Sequence, residues 1–349
     1  MKTIDYIIVG QGLAGSILAY TLMHQQQKVV VVDEGKENTS SKVAAGLCNP
    51  VVFKRLTKSW MVDELMPVAL NFYKHQEELL NDQFYVDIPI YKLFVGEEER
   101  DFWQQKRNEP EMLEWITHTI EFPFDKNLID YPFGASHTLQ SGFLQTAKWL
   151  AAFKEYLKNK GVFIENKFDY NTIVFDNNFV CWNGYKAKKI IFCEGYQSIN
   201  NPYFNWLPFK LTKGEVLTID FKNLTLKSAL NKGVFVLPYN NYYKLGATYD
   251  WDNLNEETTE KGKIELLKKA SAFIKDEITV FEHKAGIRPT VSDRRPLLGI
   301  HPKHEQLAIF NGMGTKGVMI APYFAKVFTE FLIANKPISK EVDINRFID

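Results

Sequence analysis

Residues Thr3 to Glu34 constrain this chain more than any other stretch, because they read as strand, glycine turn, helix and second strand with almost nothing between. Tyr6-Ile7-Ile8-Val9 is an apolar run, and Gly10-Gln11-Gly12-Leu13-Ala14-Gly15 follows at once. Ser16 to Met23 continues with small and apolar residues at helical spacing, and a second apolar run from Lys28 to Val32 ends in Asp33-Glu34. In a Rossmann βαβ unit each of these residues has a mechanical task. Gly10 permits the tight turn, Gly12 admits the backbone to a pyrophosphate, and Gly15 lets helix and strand pack closely. The amides around Leu13 and Ala14 then face the phosphates, where the helix dipole also favours negative charge. Asp33, with Glu34 beside it, sits at the tip of the second strand, placed to accept hydrogen bonds from a ribose diol. The unit implies dinucleotide binding; an ordinary βαβ leaves the closing acid and the third glycine without a task.

With 349 residues, 45% of them hydrophobic, the chain is long enough for two cores. Lys plus Arg equals Asp plus Glu at 42 each, a balance that gives no support to broad nucleic-acid or membrane-surface binding but leaves a local basic patch open. The three cysteines, Cys48, Cys181 and Cys193, lack metal-ligand spacing, and none of the histidines has a metal-like partner, so no metal site is expected. The first strand leaves no room for a signal peptide ahead of it. Gly317 to Ala334 is apolar but interrupted by Pro322, Lys326 and Glu330, which reads as a core-facing helix. The expected compartment is the reducing cytoplasm, with no membrane partner.

Further along, small residues Ala44-Ala45-Gly46 lead away from the strand tip where a nucleotide would lie, in a form that suits backbone running along an extended cofactor. Trp60 to Leu80 reads as an amphipathic helix, Val86 to Val95 as strand, Glu97 to Arg107 as a charged helix, and Pro110 to Pro132 as irregular. Phe143 to Lys160 has helical periodicity, and Val162 to Glu165 reads as a strand returning to the first sheet. Thr172 to Trp182 alternates as a hairpin, and Lys188 to Cys193 is a strand that stops at Glu194-Gly195, a glycine in the crevice where ligands collect. Leu211 to Phe221, Gly233 to Pro238 and Tyr242 to Thr248 are strands whose short turns belong to an antiparallel sheet, Glu256 to Ile274 a helix, and Ile278 to Ala285 a strand. The fold class is therefore α/β, a Rossmann-like domain of residues 1–80, 138–205 and 285–349 interleaved with an antiparallel-sheet substrate domain of 81–137 and 206–284.

A second glycine-rich strand-to-helix joint lies at the far end of the chain, Gly312-Met313-Gly314-Thr315-Lys316-Gly317-Val318. If the first joint grips a pyrophosphate, this one brings a helix N-terminus to another part of the same cofactor. For a flavin, its amides would face the N1/C2=O edge, where negative charge appears on reduction. Arg288, after a strand and before Pro289, is suited to holding a carboxylate bidentately, although a structural pairing with an acid such as Asp293 accounts for it as well. Tyr239, Tyr242, Tyr243 and Tyr249 either line a pocket or form the half-buried face of a sheet, and Tyr239 and Tyr249 are the candidates for substrate contact.

Taken in order, Gly10-x-Gly12-x-x-Gly15, Asp33, Ala44-Ala45-Gly46, Lys213-Gly214-Glu215, Gly246-Ala247-Thr248, Gly286-Ile287-Arg288-Pro289, Pro296-Leu297-Leu298-Gly299 and Gly312-Met313-Gly314-x-x-Gly317 resemble the FAD-dependent D-amino-acid oxidase and glycine oxidase family. The closing Gly-Met-Gly-Thr-Lys-Gly also looks like the oxidoreductase domain of the bifunctional enzyme that modifies a tRNA wobble uridine. The resemblance implies non-covalent FAD across the two joints, oxidation of a C–N bond in a small-molecule amine by hydride transfer to flavin N5, and dioxygen as electron acceptor. It places Arg288 on the substrate carboxylate. Phe235 stands where glycine oxidase has a substrate-contacting tyrosine and Thr315 where it has a second arginine, which implies a substrate smaller or less polar at those contacts. Oxidation of a modified tRNA nucleoside, a flavin carrier or sensor without turnover, and a nicotinamide-dependent dehydrogenase are the alternatives; the late glycine joint disfavours the last.

Overall fold

The computed structural model describes residues 1–118 and 124–348; part of the irregular stretch expected at 110–132 lies outside them. A parallel sheet runs in the order Phe163–Glu165, Val29–Asp33, Lys2–Val9, Tyr185–Phe192. The outer edge of Tyr185–Phe192 is divided. Its first half pairs antiparallel with Phe179–Trp182, and its last residues pair parallel with His304–Asn311. The apolar runs read from sequence are continuous because both faces of this sheet are covered. Tyr6, Ile8, Val29 and Val31 point into a core shared with the first helix, Leu13–His24, and the last, Gly317–Ala334. Ile7, Val9, Val30 and Val32 point the opposite way, toward Phe168, Trp182 and Phe204.

A second, mostly antiparallel sheet runs in the order Ile278–Arg288, Thr212–Phe221, Tyr242–Gly246, Phe235–Tyr239, Ala229–Asn231, Ile90–Leu93, Ala135–Thr138. The strand Ala229–Asn231 was not legible in the sequence; it pairs parallel with Ile90–Leu93. The continuous strand expected at Val86–Val95 is two, Tyr85–Asp87 and Ile90–Leu93, belonging to different sheets. The expected Glu256–Ile274 helix begins later, at Glu260, because the Thr259 hydroxyl accepts from the Gly262 amide and caps it there. The helix Phe143–Lys160 likewise starts at Thr146, since Gly142–Leu144 is recruited as a strand beside Leu47–Cys48 and Tyr85–Asp87.

By length and composition the segment Gly314–Ala334 would suffice to cross a membrane, but here over half of it is buried inside the fold, against the first helix and Val62–Leu80. Tyr73, on Val62–Leu80, donates its hydroxyl to the Val318 carbonyl at 2.7 Å, tying the N-terminal turn of the last helix to that neighbour.

Candidate active site

The first glycine joint forms as the spacing requires. Gly10 has φ +102, and a Cβ on Gly15 would stand 1.9 Å from the Gly10 carbonyl oxygen, so turn and helix touch backbone to backbone. Gly15 is therefore a packing residue beneath the cavity and does not line it. Asp33 is pinned by two amides, Gln11 to Oδ2 and Gly35 to Oδ1, each at 2.7 Å. A carboxylate has roughly four acceptor sites, so these two bonds fix its direction and leave capacity for a ribose diol. Ser41, on the short helix Ser40–Val43, accepts from the Leu13 amide at 3.1 Å. The amides of Gly12 and Ala14 have no protein acceptor among the described residues and are available to an anion.

The second joint opens onto the same space. One cavity of about 790 Å³ is lined by Gly10, Gly12, Leu13, Ala14, Asp33 and Glu34 at one side, and by Met313, Gly314, Thr315, Lys316, Gly317 and Val318 at another. Ala44, Ala45, Gly46 and Gly195 complete the wall between them. The two helix starts are in contact, since a Cβ on Gly317 would lie 3.0 Å from Leu13 Cδ2. Gly312 does not line the cavity; with φ +74 it turns the chain under Val291 and Leu297. Lys316 reaches back to donate to the Asn49 carbonyl at 3.1 Å and to the Ser59 hydroxyl. Burial holds its ammonium down to about 8, and no carboxylate neutralises it among the described residues. A cation and a helix N-terminus therefore sit together on this wall of the cavity.

Arg288 ends its strand inside the cavity. Its guanidinium rests over Gly214, where any Cβ would stand 2.0 Å from Nη2, and donates only to carbonyls, Lys213 at 3.3 Å and Thr248 at 3.4 Å. Tyr249 covers it, the guanidinium carbon 4.6 Å from the ring centre. The pairing with Asp293 does not occur; Asp293 holds Arg346 at 2.8 Å. Arg288 thus makes no ion pair among the described residues, and its desolvation lowers its pKa, an arrangement that a bound anion would relieve. Around it the wall is apolar, with Val216, Phe235, Gly246 and Ala247.

The tyrosine cluster separates. Tyr249 lines the cavity and, 56% exposed, forms its rim with Trp251 stacked beside it at 6.1 Å. Tyr239 lies outside, packed on Phe143 at 5.8 Å; it shares a face with Phe235 but stands at the far end of that strand, beyond the cavity. Tyr243 is core, its hydroxyl accepting from the Leu226 amide at 3.1 Å, and Tyr242 is on the surface. Sequence reasoning missed Ser41, Thr146, Glu194, Tyr196 and Glu256, all cavity residues supplied by loops or helix starts without a motif.

The residues present fit a long, diphosphate-bearing cofactor. Over residues 5–331 the chain matches the family model described as FAD dependent oxidoreductase, DAO. Glycine oxidase of Bacillus licheniformis is 22% identical over 97% of this chain and 95% of its own length. The tRNA 5-methylaminomethyl-2-thiouridine biosynthesis bifunctional protein MnmC of Legionella pneumophila is 26% identical over 85% of this chain, which spans only 45% of that longer protein. Among solved structures, glycine oxidase from Bacillus cereus shares the fold with a TM-score of 0.79 at 20% identity, covering 96% of each chain.

Proposed function

The chain belongs to the FAD dependent oxidoreductase (DAO) family, and from that premise we propose that it oxidises a C–N bond of a small amino acid or N-substituted amine whose carboxylate Arg288 holds. One observation carries the reading: the guanidinium of Arg288, half-buried on the wall of the cavity into which both glycine joints open, makes no ion pair among the described residues. FAD, held non-covalently, supplies the chemistry when bound, accepting hydride at N5 and passing the electrons to dioxygen.

The protein's part is orientation and electrostatics. Gly12 and Ala14 amides hold the diphosphate, and Asp33 holds the ribose. Lys316 and the start of the last helix stabilise negative charge on the ring. Arg288 fixes the carboxylate, and the Phe235 and Val216 side chains exclude water from the reacting carbon. Phe235 gives this wall no hydroxyl, which favours an apolar substituent over glycine itself. The cavity-lining carboxyls are Asp33, Glu34, Glu194 and Glu256, and the first three surround the nucleotide end. Among the described residues no carboxylate pairs with Arg288, and in this reading the substrate enters as the neutral amine, so kcat/KM rises with pH from 6 to 9.

An RNA substrate, suggested by the likeness to MnmC, needs a basic rim. The segment that follows Tyr249 carries Asp250, Asp252, Glu256 and Glu257 with no Lys or Arg before Lys261, a local charge that repels a phosphate backbone. A carrier or sensor would leave the unpaired Arg288 without a task. The free thiols of Cys48, Cys181 and Cys193 suit a reducing cytoplasm. The test is anaerobic titration of the flavin-loaded protein with D-amino, L-amino and N-methyl amino acids. Bleaching of the flavin band by one of them is the expected result. A protein that dithionite bleaches but no carboxylate-bearing amine reduces would refute the proposal.

A further inference from the structure

One carboxyl on the wall of the diphosphate seat has no counter-charge. Glu194 follows the strand Tyr185–Phe192 and lines the cavity. The register sets it against the glycine turn, with the Cys193 amide donating to the Val9 carbonyl at 2.8 Å and a Cβ on Gly10 standing 3.4 Å from Glu194 Cα. Its oxygens accept from the Tyr170 hydroxyl and, at 2.8 Å, from Asn201 Nδ2, both neutral donors. No Lys, Arg or His pairs with it among the described residues.

The groups around it do not relieve the charge. Asp33 and Glu34 close the second strand, and Glu256 reaches in ahead of the helix Glu260–Ser271. Tyr170 and Tyr196 stay protonated, both held above their usual range by burial, and so does the buried Cys193 thiol. Of the two lysines on this wall, Lys36 is paired with Glu34 at 2.9 Å and Lys167 is exposed to solvent. A diphosphate arriving beside an ionised Glu194 would add two charges of the same sign in a space that then closes to water.

We propose that Glu194 is a cofactor-facing acid that takes up one proton from solvent when the diphosphate of the flavin nucleotide enters the cavity. The proton sits on a carboxylate oxygen, which changes a repelling acceptor into a donor. Burial already raises this carboxyl to about 7, and the bound diphosphate raises it further. Below about pH 7 the group is protonated in both states and affinity is flat. Above that, affinity falls by up to about tenfold per pH unit, until the pKa of the complex is passed.

The proposal rests on FAD as the cofactor, and the test separates the two. Apoprotein is titrated with FAD, whose diphosphate does not ionise between pH 6 and 9. Calorimetry at pH 8 in buffers of different ionisation enthalpy counts the protons, and quenching of flavin fluorescence gives Kd from pH 6 to 9. Uptake approaching one proton, abolished in Glu194→Gln, is the expected result. Tyr170→Phe removes a donor to the carboxylate and shifts the pH window upward, a check that does not depend on the Glu194 variant folding. FAD binding without uptake, or uptake that persists in Glu194→Gln, overturns the role of Glu194. Absence of FAD binding at every pH overturns the cofactor assignment itself.

Discussion

The two ends of the cavity are built by opposite means. At the proposed diphosphate end the available groups are backbone amides of Gly12 and Ala14, within one turn of the sequence and held by close packing of Gly10 on Gly15. At the Arg288 end they are side chains from separate strands: Val216 on Thr212–Phe221, Phe235 on Phe235–Tyr239 and Arg288 on Ile278–Arg288. A backbone site constrains only the few positions where a Cβ would collide. A side-chain site changes with each substitution. Substitution is therefore expected to be tolerated unequally at the two ends.

The sharpest way to break the comparison is Gly15→Val. With its Cβ position 1.9 Å from the Gly10 carbonyl oxygen, the helix must leave the strand, at a cost of more than about 4 kcal/mol. Expected are loss of flavin and of a cooperative melting transition; a stable flavin-loaded variant would mean that packing does not set this end. Next is Arg288→Met, which leaves flavin content unchanged and lowers kcat/KM for a carboxylate-bearing amine. Removing one partner of a desolvated charge pair costs about 2–5 kcal/mol, or roughly 30- to 5,000-fold. An equal loss for an amine without a carboxylate would show that the contact is not with that group.

A smaller effect comes from Lys316. Its folded pKa of about 8 lies below the unfolded value near 10.4, so between those values the unfolded chain carries the extra proton and stability of the apoprotein rises with pH. Below about 8 both states are charged, and burying the ammonium costs stability in full. Lys316→Met removes the slope and raises apoprotein stability at pH 7 by on the order of 2 kcal/mol, read from urea unfolding at pH 7 and 9.5. Flavin binding weakens in the same variant if the cation serves the ring. Smallest is Tyr249→Leu, which removes the ring over Arg288 and costs about 0.5–1 kcal/mol, seen as a two- to fivefold rise in KM with kcat nearly unchanged.

Local backbone patterns were legible in the sequence, and assembled surfaces were not. Gly10, Gly12, Gly15 and Asp33 could be read because the turn, the helix and the closing acid follow one another within a single unit. The late joint at Gly312 to Gly317 could be read for the same reason, though not the division of labour within it, since Gly312 packs against Val291 while Gly314 faces the cavity. Tyr239 and Tyr249 have equal standing in the sequence. Position along the strand, which carries Tyr239 beyond the cavity, and the path after Gly246 decide that Tyr249 reaches Arg288 and Tyr239 does not. Lys316 could be named with its joint, but its seat on the Asn49 carbonyl, like the places of Ser41 and Glu194, depends on contacts between distant segments that no periodicity records.

The contact of Leu13 with Gly317 has a bearing on synthesis. Translation runs from Leu13 toward Gly317, so the first joint is made well before the helix that packs beside it. Until then Leu18 and Leu22, fully covered in the finished fold, lack much of their partner surface. A nascent chain therefore cannot complete the cavity between the two joints until Gly317–Ala334 has been made.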